Sequence, residues 1–216
     1  MGKYITNFET TAAYEAAENT LATPNVSLTK DNMQVHYKPY FDPYNGHDYV
    51  DLGLPSGTKW ATMNVGASSE TEYGNYYQYG KGTAQYAATS GQSDYSGTED
   101  PLDSSVDTAA QVWGGQWHMP TNAQYDELTA NTTYEWTTIN GINGGKFTAT
   151  NGNYVFFPAA GYYEDGNLNK VDYGSYVRSS TPLGSLSAYY LSFKDGYKGL
   201  VYSNRKGGYS VRGVVG

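Results

Sequence analysis

His47-Asp48-Tyr49-Val50-Asp51-Leu52-Gly53-Leu54-Pro55-Ser56-Gly57-Thr58-Lys59-Trp60-Ala61-Thr62-Met63-Asn64-Val65 alternates apolar and polar residues on both sides of Pro55-Ser56-Gly57. A period of two marks a half-buried strand, and Pro-Ser-Gly is turn chemistry, so the stretch predicts a β-hairpin. Upstream, Pro39 and Pro43 punctuate a joint that ends at Asn45-Gly46, which sets a boundary near residue 45. Before it, residues 4–22 read as a short helix capped by Thr10 or Thr11, and 24–28 with 33–37 as a hairpin. A lone hairpin is marginal, so residues 1–45 are expected to serve assembly or attachment.

Downstream, residues 68–104 are rich in Ser, Thr, Gly, Asp and Tyr and predict long surface loops, strand-like around 74–79. Residues 107–113 predict a short helix capped by Asp107 or Ser105. Thr121 followed three residues later by Gln124 is a capping box, opening a helix to about Ala130 with Asn131 as a left-handed stop and Tyr125 and Leu128 toward the core. Then comes a meander of 134–139, 146–150 and 154–157, turned at Asn140-Gly141 and Asn151-Gly152. Strands at 188–193 and 208–214 follow, with a turn at Asp195-Gly196 between them. Poor alternation over 197–206 argues against a buried strand there. Many short strands and few helices make the fold α+β with β in excess.

Composition agrees. Of 216 residues, 24 are Tyr and 26 are Gly, which suits a β-rich fold with many turns and disfavours disorder. Cys is 0, which removes disulfides, thiolate nucleophiles and thiolate metal sites. A net charge of −8 disfavours a general nucleic-acid binder. No stretch of apolar residues reaches the roughly 18 that a transmembrane helix needs. Met1-Gly2-Lys3-Tyr4-Ile5-Thr6 has no apolar leader pattern, so the expectation is a protein that stays in the cytoplasm where it is made, or one that has lost its signal. The charge is uneven: residues 173–216 hold six basic residues against Asp195 alone, while the first 172 hold seven basic and 20 acidic residues. Such asymmetry marks either an interaction surface or a basic edge that pairs with the acidic remainder.

Motifs for catalysis are absent. His36, His47 and His118 show no two-histidine spacing for zinc, and neither a Gly-x-Ser-x-Gly elbow nor a phosphate loop occurs. Asp94, Glu99, Asp100, Asp103 and Asp107 are candidates for a calcium ion, with a solvated loop as the favoured alternative. The expectation is therefore a non-enzyme with neither cofactor nor metal. The tail reads differently: Tyr173, Tyr176, Tyr189, Tyr190, Tyr197, Tyr202 and Tyr209 recur among Ser, Gly and Lys. This is paratope chemistry, in which tyrosine gives amphipathic contact area at low entropic cost and Ser and Gly adapt.

These residues resemble a domain common in Bacteroidetes surface and phage proteins, related to the Bacteroidetes/Fibrobacter major paralogous domains. The resemblance rests on residues 47–61, on Trp113-Gly114-Gly115-Gln116-Trp117-His118-Met119-Pro120-Thr121, and on Phe157-Pro158-Ala159-Ala160-Gly161. It continues through Gly174-Ser175-Tyr176, Ser179-Ser180-Thr181, residues 188–193 and Tyr209-Ser210-Val211-Arg212, in order. The usual Tyr-Trp-Ser-Ser stands here as Tyr176-Val177-Arg178-Ser179-Ser180. The resemblance implies a C-type-lectin-like domain over 46–216 whose terminal strand returns beside its first. The related formylglycine-generating activity does not carry over, because it relies on cysteines.

The tail further resembles the variable proteins of diversity-generating retroelements, with a variable region of about 173–209 on a fixed scaffold. That implies a phage tail receptor-binding protein, assembled in the cytoplasm as part of a virion, for host attachment to a bacterial surface protein or glycan. A static adhesin of the bacterial cell surface is the alternative. Homo-oligomerisation is expected because a marginal N-terminal hairpin needs a partner surface, and the resemblance favours a trimer; the charge balance and the lack of a long apolar stretch predict no nucleic-acid partner and no membrane insertion. The implied ligand face comprises Val177, Leu183, Leu186, Ser187, Tyr190, Ser192, Lys194, Asp195, Tyr197, Lys198, Leu200, Tyr202, Ser203, Lys206 and Tyr209, all expected in solvent on one side.

Overall fold

A computed structural model describes residues 44–84 and 95–216. They belong to a compact unit running from Phe41 to Gly216. The helix expected at 4–22 and the hairpin of 24–37 lie outside the described residues, as does Asp94.

Among the described residues strands dominate, with two short helices. The opening hairpin forms as expected: β1 (Tyr49–Asp51) pairs with β2 (Lys59–Asn64), Val50 opposite Trp60. Gly57 takes φ +79 in its turn, a conformation that an L side chain resists. Helix α1 (Thr108–Trp113) is capped by Asp107, whose carboxylate accepts from the Ala110 amide at 3.0 Å. Helix α2 (Asn122–Asn131) carries the full Thr121–Gln124 capping box and buries Tyr125 and Leu128. Asn131 does not make a left-handed stop; the chain passes through extended Thr132 straight into β3, so no reversal is needed.

The meander is β3 (Thr132–Ile139), β4 (Ile142–Ala149) and β5 (Tyr154–Pro158). Asn140 and Gly141 both have positive φ, the geometry of a primed turn. A small hairpin follows, β6 (Tyr162–Glu164) with β7 (Asn167–Asn169). The tail builds a second three-stranded sheet, in the order β10 (Tyr197–Asn204), β9 (Ser187–Lys194), β8 (Ser175–Leu183). Strand β10 has poor alternation because it is an edge strand with solvent on much of its surface. The terminal β11 (Arg212–Val215) returns to the opening hairpin, but beside β2 rather than β1.

Two aromatic clusters form the core. Trp60, Tyr125, Phe147, Phe157 and Phe193 pack between α2 and the sheets, while Tyr77, Tyr79, Trp113, Trp117 and Val211 fill the other. Residues 76–79, expected to be strand-like within a surface loop, form a β-bridge at Tyr77 but lie inside rather than at the surface. Tyr76, Tyr77 and Tyr79 are buried, and the Tyr77 backbone exchanges hydrogen bonds with Tyr209 at 2.9 and 3.0 Å. Tyrosine hides in a polar-looking stretch because its ring buries while its hydroxyl finds a carbonyl, as Tyr76 does at Ala160.

His47 stacks on Trp113 with ring centroids 4.3 Å apart. Burial lowers its pKa, against the opposing pull of Asp48. The unfolded chain therefore binds this proton more readily, so stability from His47 is fully present above about pH 6.5 and lost as pH falls below it through the lower folded-state pKa. Urea denaturation followed by tryptophan fluorescence should show a lower midpoint at pH 5.5 than at 7.5. His47→Gln should reduce that difference, and an equal difference in both proteins would contradict the assignment.

Candidate ligand-binding surface

Directly paired residues of an antiparallel sheet share a side. In the β8–β9–β10 sheet, the pairs Val177–Leu191, Ser175–Phe193, Leu200–Leu191 and Lys198–Phe193 define the side that meets the core. The pairs Tyr176–Ser192, Arg178–Tyr190, Val201–Tyr190 and Tyr197–Lys194 define the other. Here lies a cluster of tyrosines. Tyr162 from β6 and Tyr176 from β8 meet edge-on at 4.9 Å, and Tyr190 from β9 lies 6.0 Å from Tyr176. Tyr209, from the bridged stretch before β11, stacks on Tyr162 at 5.5 Å and lies 4.9 Å from Tyr190. Tyr162, Tyr176 and Tyr190 are half-buried, while Tyr209 forms the floor at 4% exposure.

Beneath that floor lies Arg178, its guanidinium 3.9 Å from the Tyr209 ring centroid. It donates to the carbonyl of Gly207 at 3.0 Å and, at longer range, to Ala188 and Ser203. Burial brings its pKa down to about 10, so it stays cationic at neutral pH. Burial likewise pushes Tyr190 up to about 12 and raises Tyr162 and Tyr176, which keeps their hydroxyls protonated as donors. At the rim, Lys194 donates to the Tyr173 hydroxyl at 2.8 Å, and the ammonium groups of Lys170 and Lys194 lie 5.0 and 4.9 Å from the Tyr173 ring. Lys206 pairs with Asp165 at 3.4 Å.

Comparison with family models, curated proteins and solved structures finds no match to this chain. The surface must be read from its own chemistry. It offers ring faces for apolar and C–H contact, hydroxyl donors, serines 192 and 203, and ammonium groups at one edge. Among the described residues no helix is long and apolar enough to cross a membrane, and no group of three His, Asp or Glu side chains stands ready for a metal. The described acids of 99–107 serve local bonds instead: Glu99 accepts from Tyr95, Asp100 from Thr181, Asp103 from the Ser105 amide, and Asp107 from Met119.

The structure divides the expected ligand residues. Tyr190, Ser192, Lys194, Tyr197 and Ser203 share the tyrosine side, and Lys206 stands at its rim. Val177 is wholly buried in the core and Tyr209 is nearly so, which corrects their placement in solvent. Their direction follows from the pleat: Val177 pairs with core Leu191, and Tyr209 is covered by Tyr162 and Tyr190. Ser187, Lys198, Leu200 and Tyr202 fall on the opposite side, with Lys198 over Tyr134 and Tyr202 against Tyr189. Leu183 and Leu186 are exposed at the β8–β9 connection, and Asp195 at the β9–β10 turn. A single expected face is thus two faces and two loops. Tyr162 was missed because it lies outside the tail, and Arg178 because nothing in the sequence distinguishes a buried cation from the tail's other basic residues; strand pairing reveals both. Within the blocks that carry the resemblance, Ser179, Ser180, Phe193, Ser210, Val211 and Arg212 are buried, while Thr181 is only half-buried.

Proposed function

We propose that the domain is a C-type-lectin-fold receptor-binding module that holds a host-surface ligand on the face of Tyr162, Tyr176 and Tyr190 over Tyr209. The observation that carries the reading is the four-tyrosine cluster, gathered from four segments onto one side of the tail sheet while the neighbouring Ser-Ser and Ser-Val-Arg segments are buried. The return of the last strand to the opening hairpin, the long loops and the two short helices support the lectin-like fold. The module would act non-covalently in a phage tail, and the Tyr/Ser/Lys pattern of 173–209 would be the diversified part. An adenine-rich near-copy of the segment encoding those residues, beside a reverse-transcriptase gene, separates this protein from a static surface adhesin of the same fold.

The rim makes an anionic glycan the favoured ligand. An array of bacterial polysaccharides, together with whole Bacteroidetes cells, tests the proposal: binding is expected to acidic glycans and to a subset of strains. Raising NaCl from about 50 to about 500 mM should weaken binding several-fold, because exposed charges are screened beyond a few ångströms at the higher salt. Lys170→Ser with Lys194→Ser should flatten that dependence. Binding that ignores salt in both proteins would assign recognition to the tyrosines alone, and a protein that binds no glycan and no cell would overturn the proposal.

A further inference from the structure

Backbone hydrogen bonds in a sheet must all be accounted for, and β10 leaves half of its own open. The two-residue Asp195-Gly196 turn makes Lys194 and Tyr197 a mutually bonded pair. By alternation, Tyr197, Gly199, Val201 and Ser203 bond to β9, and the N–H and C=O of Lys198, Leu200, Tyr202 and Asn204 point away from the sheet. Among the described residues no backbone group bonds there, and only the Asn204 carbonyl is engaged by a side chain, accepting from the Ser203 hydroxyl at 3.3 Å. The other edge of the same sheet is guarded. Strand β8 has a register shift and Pro182, and its Arg178 and Ser180 amides bond to Ser210 and Pro120. Strand β10 has eight consecutive register pairs, no bulge and no proline, and Lys198 is its sole charge. Natural edges are usually blunted by such devices.

We infer that β10 pairs antiparallel with β10 of a second copy, Leu200 opposite its own counterpart, to give a continuous six-stranded sheet. The sequence of the strand argues for a second copy over another partner. In that register Lys198 meets Tyr202 of the copy on both sides of the two-fold axis, and lysine never faces lysine. Lysine over a tyrosine ring is a contact this domain already makes at Tyr49, Tyr154 and Tyr173, and Lys198 itself lies 5.5 Å from the Tyr134 ring centroid on the same side of the sheet. Tyr202 is 59% exposed and Tyr197 43%, so both have surface to cover. The edge of β3 is a poorer candidate, since Glu135 near its midpoint would meet its own copy in a centred two-fold pairing. The inference stands apart from the ligand proposal, because the tyrosine face and the β10 edge are different surfaces.

Proline at an outward-bonding position removes only the donor used between copies, and edge strands tolerate it there. The full chain, examined by sedimentation velocity from 1 to 200 µM, is expected to show association that Lys198→Pro and Tyr202→Pro each abolish, with far-ultraviolet circular dichroism unchanged. Should proline unfold the chain, Tyr202→Lys serves instead: it sets lysine against Lys198 of the copy and should weaken association at least tenfold. The absence of cysteine gives a register test. A mixture of Lys198→Cys and Tyr202→Cys chains should cross-link through a short bismaleimide more than either chain alone. A wild-type monomer at 200 µM, folded variants that associate as before, or a mixture that cross-links no better than its parts would each overturn the inference.

Discussion

Arg212→Ala is expected to unfold the domain or to lower its melting temperature by more than about 10 °C. Arg212 is fully buried; the Glu70 carboxylate favours its charge from a distance, but the groups that hold it are uncharged. Its fork spans two sheets: Nε donates to the Asn64 side chain at 3.0 Å, Nη1 to the Ala61 carbonyl at 2.8 Å and Nη2 to the Phe156 carbonyl at 2.9 Å. Its plane lies 4.4 Å from the Phe157 ring centroid. Alanine strands three acceptors at about 1–3 kcal/mol each and leaves a cavity costing roughly 2 kcal/mol or more. The sum is at least about 5 kcal/mol, comparable with the whole stability of many domains. Arg212→Lys should recover little, because an ammonium on a single stem cannot reach three fixed acceptors in a plane. Calorimetry checks both. A shift under about 3 °C for alanine would mean that water replaces the guanidinium and that the two sheets do not depend on it.

The second large effect is on binding. Tyr162→Ser, Tyr176→Ser and Tyr190→Ser together should reduce binding to responsive cells at least a thousandfold. Central aromatic anchors typically cost about 2 kcal/mol or more each when removed. The same three changes should lower the melting temperature by only about 5–10 °C, since each ring is half in solvent and Tyr209 and Arg178 keep their backbone anchors. Tyr154→Ser is the control: Tyr154 is 36% exposed, carries the Lys146 ammonium 4.4 Å from its ring centroid and belongs to β5, outside the cluster. Loss of binding in the control as well would mean that the tyrosine-rich surface acts without a defined site.

The scaffold was more legible than the site. Capping boxes, Asn-Gly turns and period-two alternation are local signals, and they located α2, the β1–β2 hairpin and the meander within a few residues. The placement of Tyr125 and Leu128 followed from helical spacing. Strand β10 escaped because an edge strand buries neither side consistently, and the burial of 76–79 escaped because buried tyrosine looks polar in sequence. The ligand face was only half legible for a reason of geometry. Along a strand, neighbours in sequence point to opposite sides, so a contiguous list such as Tyr197, Lys198, Leu200, Tyr202 and Ser203 must split across the sheet once its pairing is set. Tyr162 joins from another hairpin, and no spacing within the tail announces it. Arg178 reads as one of the tail's solubilising cations, yet it is buried beneath Tyr209 and acts on the face through that ring.

Oxidative footprinting of the wild-type protein tests the central claim without any substitution. Hydroxyl radicals should modify Tyr162, Tyr176, Tyr190 and Tyr154 in the free protein at rates that follow their exposure. On saturating binding to responsive Bacteroidetes cells, modification of Tyr162, Tyr176 and Tyr190 should fall at least threefold while Tyr154 stays unchanged. Protection confined to Leu183, Leu186 or Tyr154, with the three tyrosines as reactive as before, would contradict the tyrosine face as the place where ligand binds.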